Sequence, residues 1–449
     1  MRSKVSLVGT GILVGGTLAL GLTFYGTDSP RYTQTPQTDD VAQPNGKWFR
    51  YRTHRFDADL TAAQREQLEA LEAIGYADGT VPGDGRGQVT THDPERAQPG
   101  YNFYASGHGP EAVLMDNQGQ EIHRWHHEFW ETFSDYPLRK YHGGTNNFRR
   151  VRLLEGGDVI GIHEGLALVR FDKDNQTQWA STVRAHHDLD IHPSGDLVVL
   201  IREARMMPRL DPIKPVMEDF VSILDLETGE ELRRISLVAA LEASPWSDWL
   251  DERPDKADFF HTNTLAVLDG ASVHPAFASG RVLLSMRNMN LLAVLDIDTG
   301  QLVWAHRGPY RLQHEPSLTA AGNLLLFDNR GGKGARRTRV SLYGLPDMSA
   351  IWHYTGGESP LHSPTLGTAA ELPNGNILIT ESERGRAIEI TPDSQEIVWE
   401  FLNPHTAGPN QEYIAALFEM NRVPPDFDVS WAKGSPTPAA GTRVQPHTR

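Results

Sequence analysis

Short hydrophobic runs separated by turns dominate the chain from residue 101 to residue 432. The runs are rich in Val, Leu and Ile, and they are broken by Gly, Asp and Asn, which favour turns. One phrase recurs: a strand, a Gly-centred turn, a second strand and a polar turn that closes on Trp. The six closing positions are Trp125, Trp179, Arg233, Trp304, Trp352 and Trp399.

These six repeats predict an all-β fold, a six-bladed β-propeller with four antiparallel strands in each blade. The closing positions recur with a period that fits such blades, with one longer interval before Trp304, and the runs show no helical periodicity. The first strand of each blade is expected to line the central channel. The closing Trp residues are predicted to be structural anchors. Residues 412–420 are predicted to form a short helix.

Residues 1–27 form a separate segment. Arg2 and Lys4 precede an uncharged stretch, Val5 to Tyr25, which at about 1.5 Å per residue is long enough to cross a bilayer. This pattern predicts an uncleaved transmembrane helix that anchors the protein in the membrane. A cleaved signal peptide is the alternative, although no typical cleavage motif follows. In both cases the globular part is expected outside the cytoplasm, in the periplasm or at the cell surface.

Three further segments frame the predicted propeller domain at residues 101–432. Residues 28–58 are rich in Pro, Thr, Gln and Asp, and they predict a flexible tether. Residues 59–100 form a lead-in segment, and its apolar spacing over residues 59–74 predicts a short amphipathic helix. The Pro-rich residues 433–449 are predicted to be a disordered tail.

Composition narrows the possible chemistry. The formal net charge of −16 argues against binding to nucleic acid, because phosphates require a basic surface. The chain contains 0 Cys, which excludes disulfides, thiolate metal ligands and a Cys nucleophile. Any reaction must therefore use His, carboxylates, Arg or hydroxyl groups.

Aligning the repeats on their turn Gly reveals a polar position at the start of the first strand. This position holds His187 in the third repeat, His261 in the fourth and His314 in the fifth. The second repeat has Arg149 there, and the sixth has Gly367. The other histidines lack this register, and we expect them at the surface or in loops: His126, His127, His142, His186 and His192.

The end of the returning strand is also polar in this alignment, with Arg202, Arg287, Asn329 and Ser382 in the third to sixth repeats. Two strands of nearly equal length bring both ends to one face of the propeller. Three imidazoles and one or two guanidiniums should therefore meet at one mouth of the channel. Arg matches the oxygens of sulfate or phosphate, and His can transfer protons or act as a nucleophile.

The chain resembles the bacterial arylsulfotransferase family, also called arylsulfate sulfotransferases, and the broader arylsulfotransferase-like propeller proteins. The resemblance extends from about Thr91 to Trp431. Its segments include Tyr101-Asn102-Phe103, residues 112–119, His186-His187-Asp188, His261-Thr262-Asn263, Arg287-Asn288, Gln313-His314-Glu315, Phe327-Asp328-Asn329 and residues 372–379.

The resemblance implies sulfuryl transfer from a small aryl sulfate to a phenol, without a cofactor or a metal. A sulfohistidine would form on His314, and His187, His261 and Arg287 would hold the sulfuryl and phenolic oxygens. We expect Asn263, Asn329 and Arg202 to contribute to substrate binding. Some members of the family depend on a disulfide, which this chain does not contain, so its substrates can differ from theirs.

Two other functions fit the same pattern. The three histidines could bind a divalent metal in a lyase or hydrolase acting on an anionic sugar or ester. Alternatively, a membrane-tethered propeller could present one face to a protein or glycan without catalysis. The clustering of Arg and His at one register argues against the second alternative, because a scaffold does not require it.

Overall fold

The computed structural model describes residues 47–50, 88–136, 143–330, 338–357, 359–407 and 413–432. The predicted membrane anchor, the predicted amphipathic helix and the predicted tail lie outside these ranges, as does most of the predicted tether. Among the residues described, no helix combines the length and the apolar character needed to span a membrane.

Six antiparallel sheets form the six predicted blades. Two strands precede them, β1 (Trp48–Arg50) and β2 (Gln88–His92). Blade 1 contains β3 (Tyr101–Ser106), β4 (Glu111–Asp116) and β5 (Glu121–His126). Blade 2 contains β6 (Arg150–Leu153), β7 (Val159–His163), β8 (Ala167–Phe171) and β9 (Thr177–Ser181). Blade 3 contains β10 (Ala185–Ile191), β11 (Leu197–Arg205), β12 (Val216–Leu224) and β13 (Glu231–Ser236).

The remaining blades follow the same order. Blade 4 contains β14 (Thr262–Val267), β15 (Val282–Met286), β16 (Leu291–Asp296) and β17 (Gln301–Arg307). Blade 5 contains β18 (His314–Leu318), β19 (Leu324–Asp328), β20 (Arg339–Gly344) and β21 (Ser349–Tyr354). Blade 6 contains β22 (Thr368–Glu371), β23 (Ile377–Glu381), β24 (Arg386–Ile390) and β25 (Ile397–Leu402). The last strands are β26 (Thr406–Ala407), β27 (Tyr413–Ala415) and β28 (Leu417–Val423).

Both ends of the described chain close the ring of blades. Strand β28 pairs with β3 and becomes the innermost strand of blade 1, and β2 pairs with β25 at the outer edge of blade 6. The helix predicted at residues 412–420 is therefore wrong. Its apolar residues complete the inner edge of blade 1, because strand pairing in the folded protein overrides local helix propensity. Strand β2 comes from the segment predicted as a lead-in, and β1 pairs with β27 in a small separate sheet.

Helical segments are short and lie in the connections. The α-helices are α1 (Phe129–Thr132) and α2 (Leu237–Glu242). The 3-10 turns are Gly143–Thr145, Glu155–Gly157, Ser247–Leu250, Pro275–Phe277, Arg287–Met289 and Ser382–Arg384. Helix α2 begins after Ser236, whose hydroxyl accepts a hydrogen bond from the amide of Ala239. The turns at Arg287 and Ser382 follow the second strands of their blades and place polar residues at the channel mouth.

The residues that close each repeat join neighbouring blades. Trp125, Trp179, Trp352 and Trp399 donate indole hydrogen bonds to backbone carbonyls in the next blade. Arg233, which replaces Trp in the third repeat, donates instead to the carbonyls of Ile297 and Asp298 in blade 4. Apolar side chains from facing sheets pack between the blades, where the core lies. The closing position is therefore a link between blades, and Trp is one of two residue types that provide it.

Removing one of these links should lower stability. Trp399 is fully buried, and its indole donates to the carbonyl of Asn117 at 3.0 Å. Trp399→Phe keeps an aromatic ring but leaves this carbonyl unpaired, so we expect the free energy of unfolding to fall by about 1–3 kcal/mol. Urea denaturation measures the loss. The control Trp130→Phe, at a side chain that is 45% exposed, should change stability by less than about 0.5 kcal/mol. Equal losses of unfolding free energy in both variants would contradict the role of Trp399 as a link between blades.

Candidate active site

Three histidines from consecutive blades lie at the channel mouth, as the register of the repeats predicts. His187 lies on β10, His261 directly precedes β14, and His314 is the first residue of β18. The rings of His187 and His261 are 4.9 Å apart between centroids and nearly perpendicular. This placement agrees with the prediction that the starts of these strands lie at one mouth of the channel.

Irregular backbone aims these side chains. Strands β10, β14 and β18 each pair with the next strand of their blade. In each pair the register shifts at the start of the first strand, beside the histidine. His187 has a φ of 57° and His261 a φ of 49°, in the left-handed region that residues with a Cβ rarely adopt. Such bulges turn a side chain away from the regular alternation of a strand. The strand entrances are therefore shaped to bring the imidazoles into the channel.

Each of the three imidazoles is held through its Nδ1 atom. His187 Nδ1 lies 3.2 Å from a carboxylate oxygen of Glu164, and His261 Nδ1 lies 2.6 Å from one of Asp258. His314 Nδ1 lies 3.0 Å from the carbonyl of Leu312 and 2.7 Å from the side-chain oxygen of Asn329. Carboxylates and carbonyls accept hydrogen bonds, so Nδ1 carries the proton and Nε2 keeps its lone pair.

Asn329 is fixed in the orientation that His314 requires. Its side-chain nitrogen donates to the carbonyls of Ser363 and Leu366, both at 2.6 Å. The side-chain oxygen is therefore the atom that faces the imidazole. The sequence predicts that Asn329 binds substrate. In the described structure, its side chain instead contacts other residues of the protein and positions His314.

Arg202 bridges the two carboxylates that hold the neighbouring histidines. Its guanidinium donates to Asp258 and to Glu164, each at 3.2 Å. Burial raises the pKa of Asp258, but the hydrogen bond from His261 and the charge of Arg202 outweigh burial and hold it below its usual value. The site thus contains a continuous chain of polar contacts, from His187 through Glu164, Arg202 and Asp258 to His261.

Two further guanidiniums give the site a positive character. Arg287 follows β15, its amide donates to the carbonyl of His261 at 3.2 Å, and its guanidinium donates to Asn288 at 3.0 Å. Arg149 is buried, with its guanidinium 5.5 Å from the ring centroid of Phe418. Burial and the charges of both Arg287 and Arg149 hold the pKa of His314 well below its usual value. His314 is therefore neutral at physiological pH, the form in which its Nε2 is a nucleophile.

Sequence reasoning assigned no role to three residues of this site. The alignment of repeats places Arg149 at the register of the histidines, but it is not among the predicted site residues. Glu164 lies in the turn between β7 and β8, and Asp258 in the long insertion before β14. No repeat pattern marks these two carboxylates. Asn263, a predicted substrate-binding residue, is buried, and its side-chain nitrogen donates to the carbonyl of Gln313 at 2.8 Å.

A second ionic layer lies one residue further along the inner strands. The buried guanidinium of Arg150 contacts Asp188 at 2.9 Å, Glu315 at 2.8 Å and Glu419 at 2.7 Å. These four residues come from the innermost strands of blades 2, 3, 5 and 1. Burial, with Glu315 and Glu419 nearby, raises the pKa of Asp188 to about 8 despite the charge of Arg150. The layer places charged side chains in the channel next to the histidines.

The expectation that the other histidines lie at the surface or in loops is wrong for His186, which lies on strand β10. His142 lies outside the described residues. His127 lies in the connection between β5 and α1, as expected, although its side chain is buried, with Nε2 close to the hydroxyls of Thr132 and Thr177. His186 is fully buried, with Nδ1 2.9 Å from Nδ1 of His187. Consecutive strand residues normally point to opposite faces, but the left-handed conformation of His187 cancels this alternation here.

Within the described ranges, potential metal ligands come together in a group different from the one that the metal hypothesis predicts. Atoms of Glu164, His186 and His187 lie within 4.8 Å of one another, whereas His261 and His314 are not part of this group. Glu164 already accepts a hydrogen bond from Arg202, and burial together with the charge of Arg149 lowers the pKa of His187. The positive charge beside the group opposes a cation, so the contacts favour hydrogen bonding over metal binding.

Comparisons with known proteins give one family match and several similar folds. Residues 150–403 match the sequence model of a family described as arylsulfotransferase (ASST). This match includes all the predicted site residues. No curated protein matches the sequence.

Solved structures with a similar fold include proteins of other or unknown function. A protein of unknown function from Bacteroides caccae is 11% identical, with a TM-score of 0.44, covering 68% of this chain and 93% of its own. The β-propeller domain of Cps50 (Swd1) from Myceliophteria thermophila is 13% identical, with a TM-score of 0.42, covering 74% and 99%. A streptogramin B lyase is 12% identical, with a TM-score of 0.42, covering 77% and 95%. At this level of identity, function does not transfer.

Proposed function

Because this chain belongs to the arylsulfotransferase family, we propose that it transfers a sulfuryl group from an aryl sulfate to a phenol through a sulfohistidine on His314. The observation that carries the proposal is the state of His314. Its Nδ1 proton is held by Leu312 and Asn329, and its pKa is lowered by burial and by Arg287. An imidazole held in this way offers a neutral Nε2 as nucleophile.

The first half-reaction breaks the bond between sulfur and the phenolic oxygen of the donor. Nε2 of His314 attacks sulfur, and the phenolate leaves with the electrons of the S–O bond. Arg287 and Arg149 offset the negative charge on the sulfuryl oxygens, since guanidiniums pair well with such oxygens. His261 or His187 protonates the leaving oxygen from Nε2 of its imidazolium form, and it then returns to the neutral form with its proton on Nδ1.

The second half-reaction reverses these steps with the acceptor phenol. A histidine removes the phenolic proton, the oxygen attacks sulfur, and the bond between sulfur and His314 breaks. His187 and His261 suit this role because each has its Nδ1 fixed by a carboxylate. The arrangement resembles the pairing of His with Asp in hydrolases, where the acid fixes the orientation and tautomer of the base.

A covalent adduct tests this proposal directly. Incubating the purified protein with an aryl sulfate in the absence of acceptor should release about one equivalent of phenol per protein and add the mass of one sulfuryl group. The adduct should survive base and be lost in acid, as expected for a bond to nitrogen. A chelator should leave its formation unchanged, which would separate the proposal from the metal-dependent alternative. An unmodified mass together with continued turnover would contradict the sulfohistidine.

We infer that residues 1–27 anchor the protein, with the propeller outside the cytoplasm. The support is the uncharged stretch from Val5 to Tyr25 behind Arg2 and Lys4. Cell fractionation should place the full chain in the membrane fraction, and deletion of residues 1–27 should abolish export. A full chain recovered from the cytoplasm would contradict this inference, and a shortened mature N-terminus would favour the cleaved signal peptide.

A further inference from the structure

The proposed histidine base, His187, adjoins a second histidine that the proposed reaction does not use. His186 is fully buried, and its ring stands nearly perpendicular to that of His187, with Nδ1 atoms 2.9 Å apart. This distance is that of a hydrogen bond. Only one proton can lie between two ring nitrogens, so one imidazole donates and the other accepts.

The carboxylate of Glu164 decides which imidazole donates. One of its oxygens lies 3.2 Å from Nδ1 of His187, where a bare nitrogen lone pair would face a negative charge, so His187 Nδ1 carries the proton. His186 Nδ1 is then the acceptor, and the proton of His186 is on its Nε2. This tautomer leaves Nε2 of His187 unprotonated and able to accept a proton from a substrate.

Nε2 of His186 faces a buried carboxylate. Oδ1 of Asp219 lies 3.8 Å away, and the other oxygen of Asp219 accepts a hydrogen bond from the amide of Thr262 at 2.8 Å. This distance is too long for a hydrogen bond, and in the described part of the chain neither His186 Nε2 nor Asp219 Oδ1 has a hydrogen-bond partner. A buried polar atom without a partner is costly, so the two atoms are poised for contact after a small movement.

We propose that His186 and Asp219 form a buried proton relay, which draws the proton of the acceptor phenol from His187 and returns it to the leaving phenolate of the next donor. The inference rests on the proposed sulfuryl transfer. It adds two positioning residues, which act through His187 and do not touch the substrate.

Each step of the relay conserves protons and charge. The phenolic O–H bond breaks as the oxygen bonds to sulfur, and Nε2 of His187 takes the proton. The proton on Nδ1 of His187 passes to Nδ1 of His186, and the proton on Nε2 of His186 passes to Asp219. When the next aryl sulfate reacts with His314, the same transfers run backwards and protonate the leaving phenolate. One proton is thus stored between the half-reactions.

The charges around the two ends explain why a relay is required. Burial and the charges of Arg149 and Arg202 lower the pKa of His187, so an imidazolium there is unfavourable. Burial and the charge of Asp258 raise the pKa of Asp219 to about 6, although Arg202 and the hydrogen bonds from Thr262 oppose this rise. Moving the proton to Asp219 neutralises a buried negative charge and avoids adding a positive one beside two arginines.

The experiment separates the two half-reactions in His186→Gln and Asp219→Asn. Sulfohistidine formation from 4-nitrophenyl sulfate, whose leaving group needs no proton, should keep the wild-type rate. Transfer from the sulfohistidine to unsubstituted phenol should slow by about 10- to 100-fold, whereas transfer to the more acidic 4-nitrophenol should change little. His127→Gln, at a buried histidine outside the site, is the matched control and should behave as the wild type.

The solvent isotope effect of the wild-type protein provides a second test of the relay. Transfer to phenol in heavy water should show a solvent isotope effect that depends on more than one proton, and His186→Gln should reduce it to a single-proton dependence. An equal loss of rate with all acceptors, or a single-proton dependence in the wild type, would overturn the relay. If the wild type forms no sulfohistidine, the proposed function itself fails, and this outcome is seen before any variant is tested.

Discussion

His314→Ala is expected to abolish sulfuryl transfer, with a loss of about 10⁴-fold or more in kcat/KM, since the variant lacks the atom that bonds to sulfur. The fold should tolerate the change. His314 is held by hydrogen bonds to Leu312 and Asn329 at the strand entrance, and its side chain adds no apolar surface to the core between the blades. The release of phenol from an aryl sulfate, followed by absorbance, measures the loss.

A second variant distinguishes a lost nucleophile from a disturbed site. In His314→Gly, added imidazole can occupy the vacated space, with Asn329 as its hydrogen-bond partner. We expect imidazole to restore part of the phenol release and to appear as free sulfated imidazole. His353→Ala, at an exposed histidine on the outer strand of the same blade, is the control and should keep full activity. Undiminished turnover in His314→Ala would refute the assignment of the nucleophile.

Arg287→Ala should give the second largest loss, about 10²- to 10³-fold in kcat/KM, because a donor that offsets developing negative charge is removed. Arg287→Lys should recover part of the rate, since Lys keeps the charge but lacks the planar fork of donors. The formation of the sulfohistidine should slow in the same order. Arg307→Ala, on the outer strand of the same blade, contacts Glu252 and should be neutral.

The pH dependence gives Arg287 a signature that general disruption would not produce. After burial, the charge of Arg287 is the largest cause that lowers the pKa of His314. Without it, this pKa rises, and His314 is protonated over a wider range of pH. The acid limb of the rate profile should therefore move to higher pH in Arg287→Ala and stay in place in Arg287→Lys. An unchanged limb in Arg287→Ala would show that the guanidinium does not act on His314.

The repeat architecture was predictable because every blade solves the same packing problem. Each outer strand must be joined to the next blade, and the recurring Trp that forms this link is visible as a period in the sequence. The register of His187, His261 and His314 followed from the same alignment, because equivalent positions of equivalent strands lie at the same height along the channel. Arg233 shows the limit of the pattern, since a different residue type provides the same link.

The partners of the histidines were not predictable. Glu164 and Asp258 lie in connections of different length and in different blades, and they meet His187 and His261 only when the ring closes. The pairing of His186 with His187 depends on a left-handed residue at a bulge, which reverses the expected direction of a side chain. The closure of blade 1 by β28 joins segments from opposite ends of the propeller sequence.

The sequence by itself therefore determined the six-bladed architecture and the height at which the three histidines enter the channel. Both follow from positions that recur along the sequence, because equivalent strands of the repeats have the same geometry. Only the tertiary structure decided which nitrogen of each imidazole is free, which charges surround it and where a proton can go. These properties depend on contacts between loops and bulges that no period describes, and on the exclusion of water that strengthens the contacts once the blades have packed.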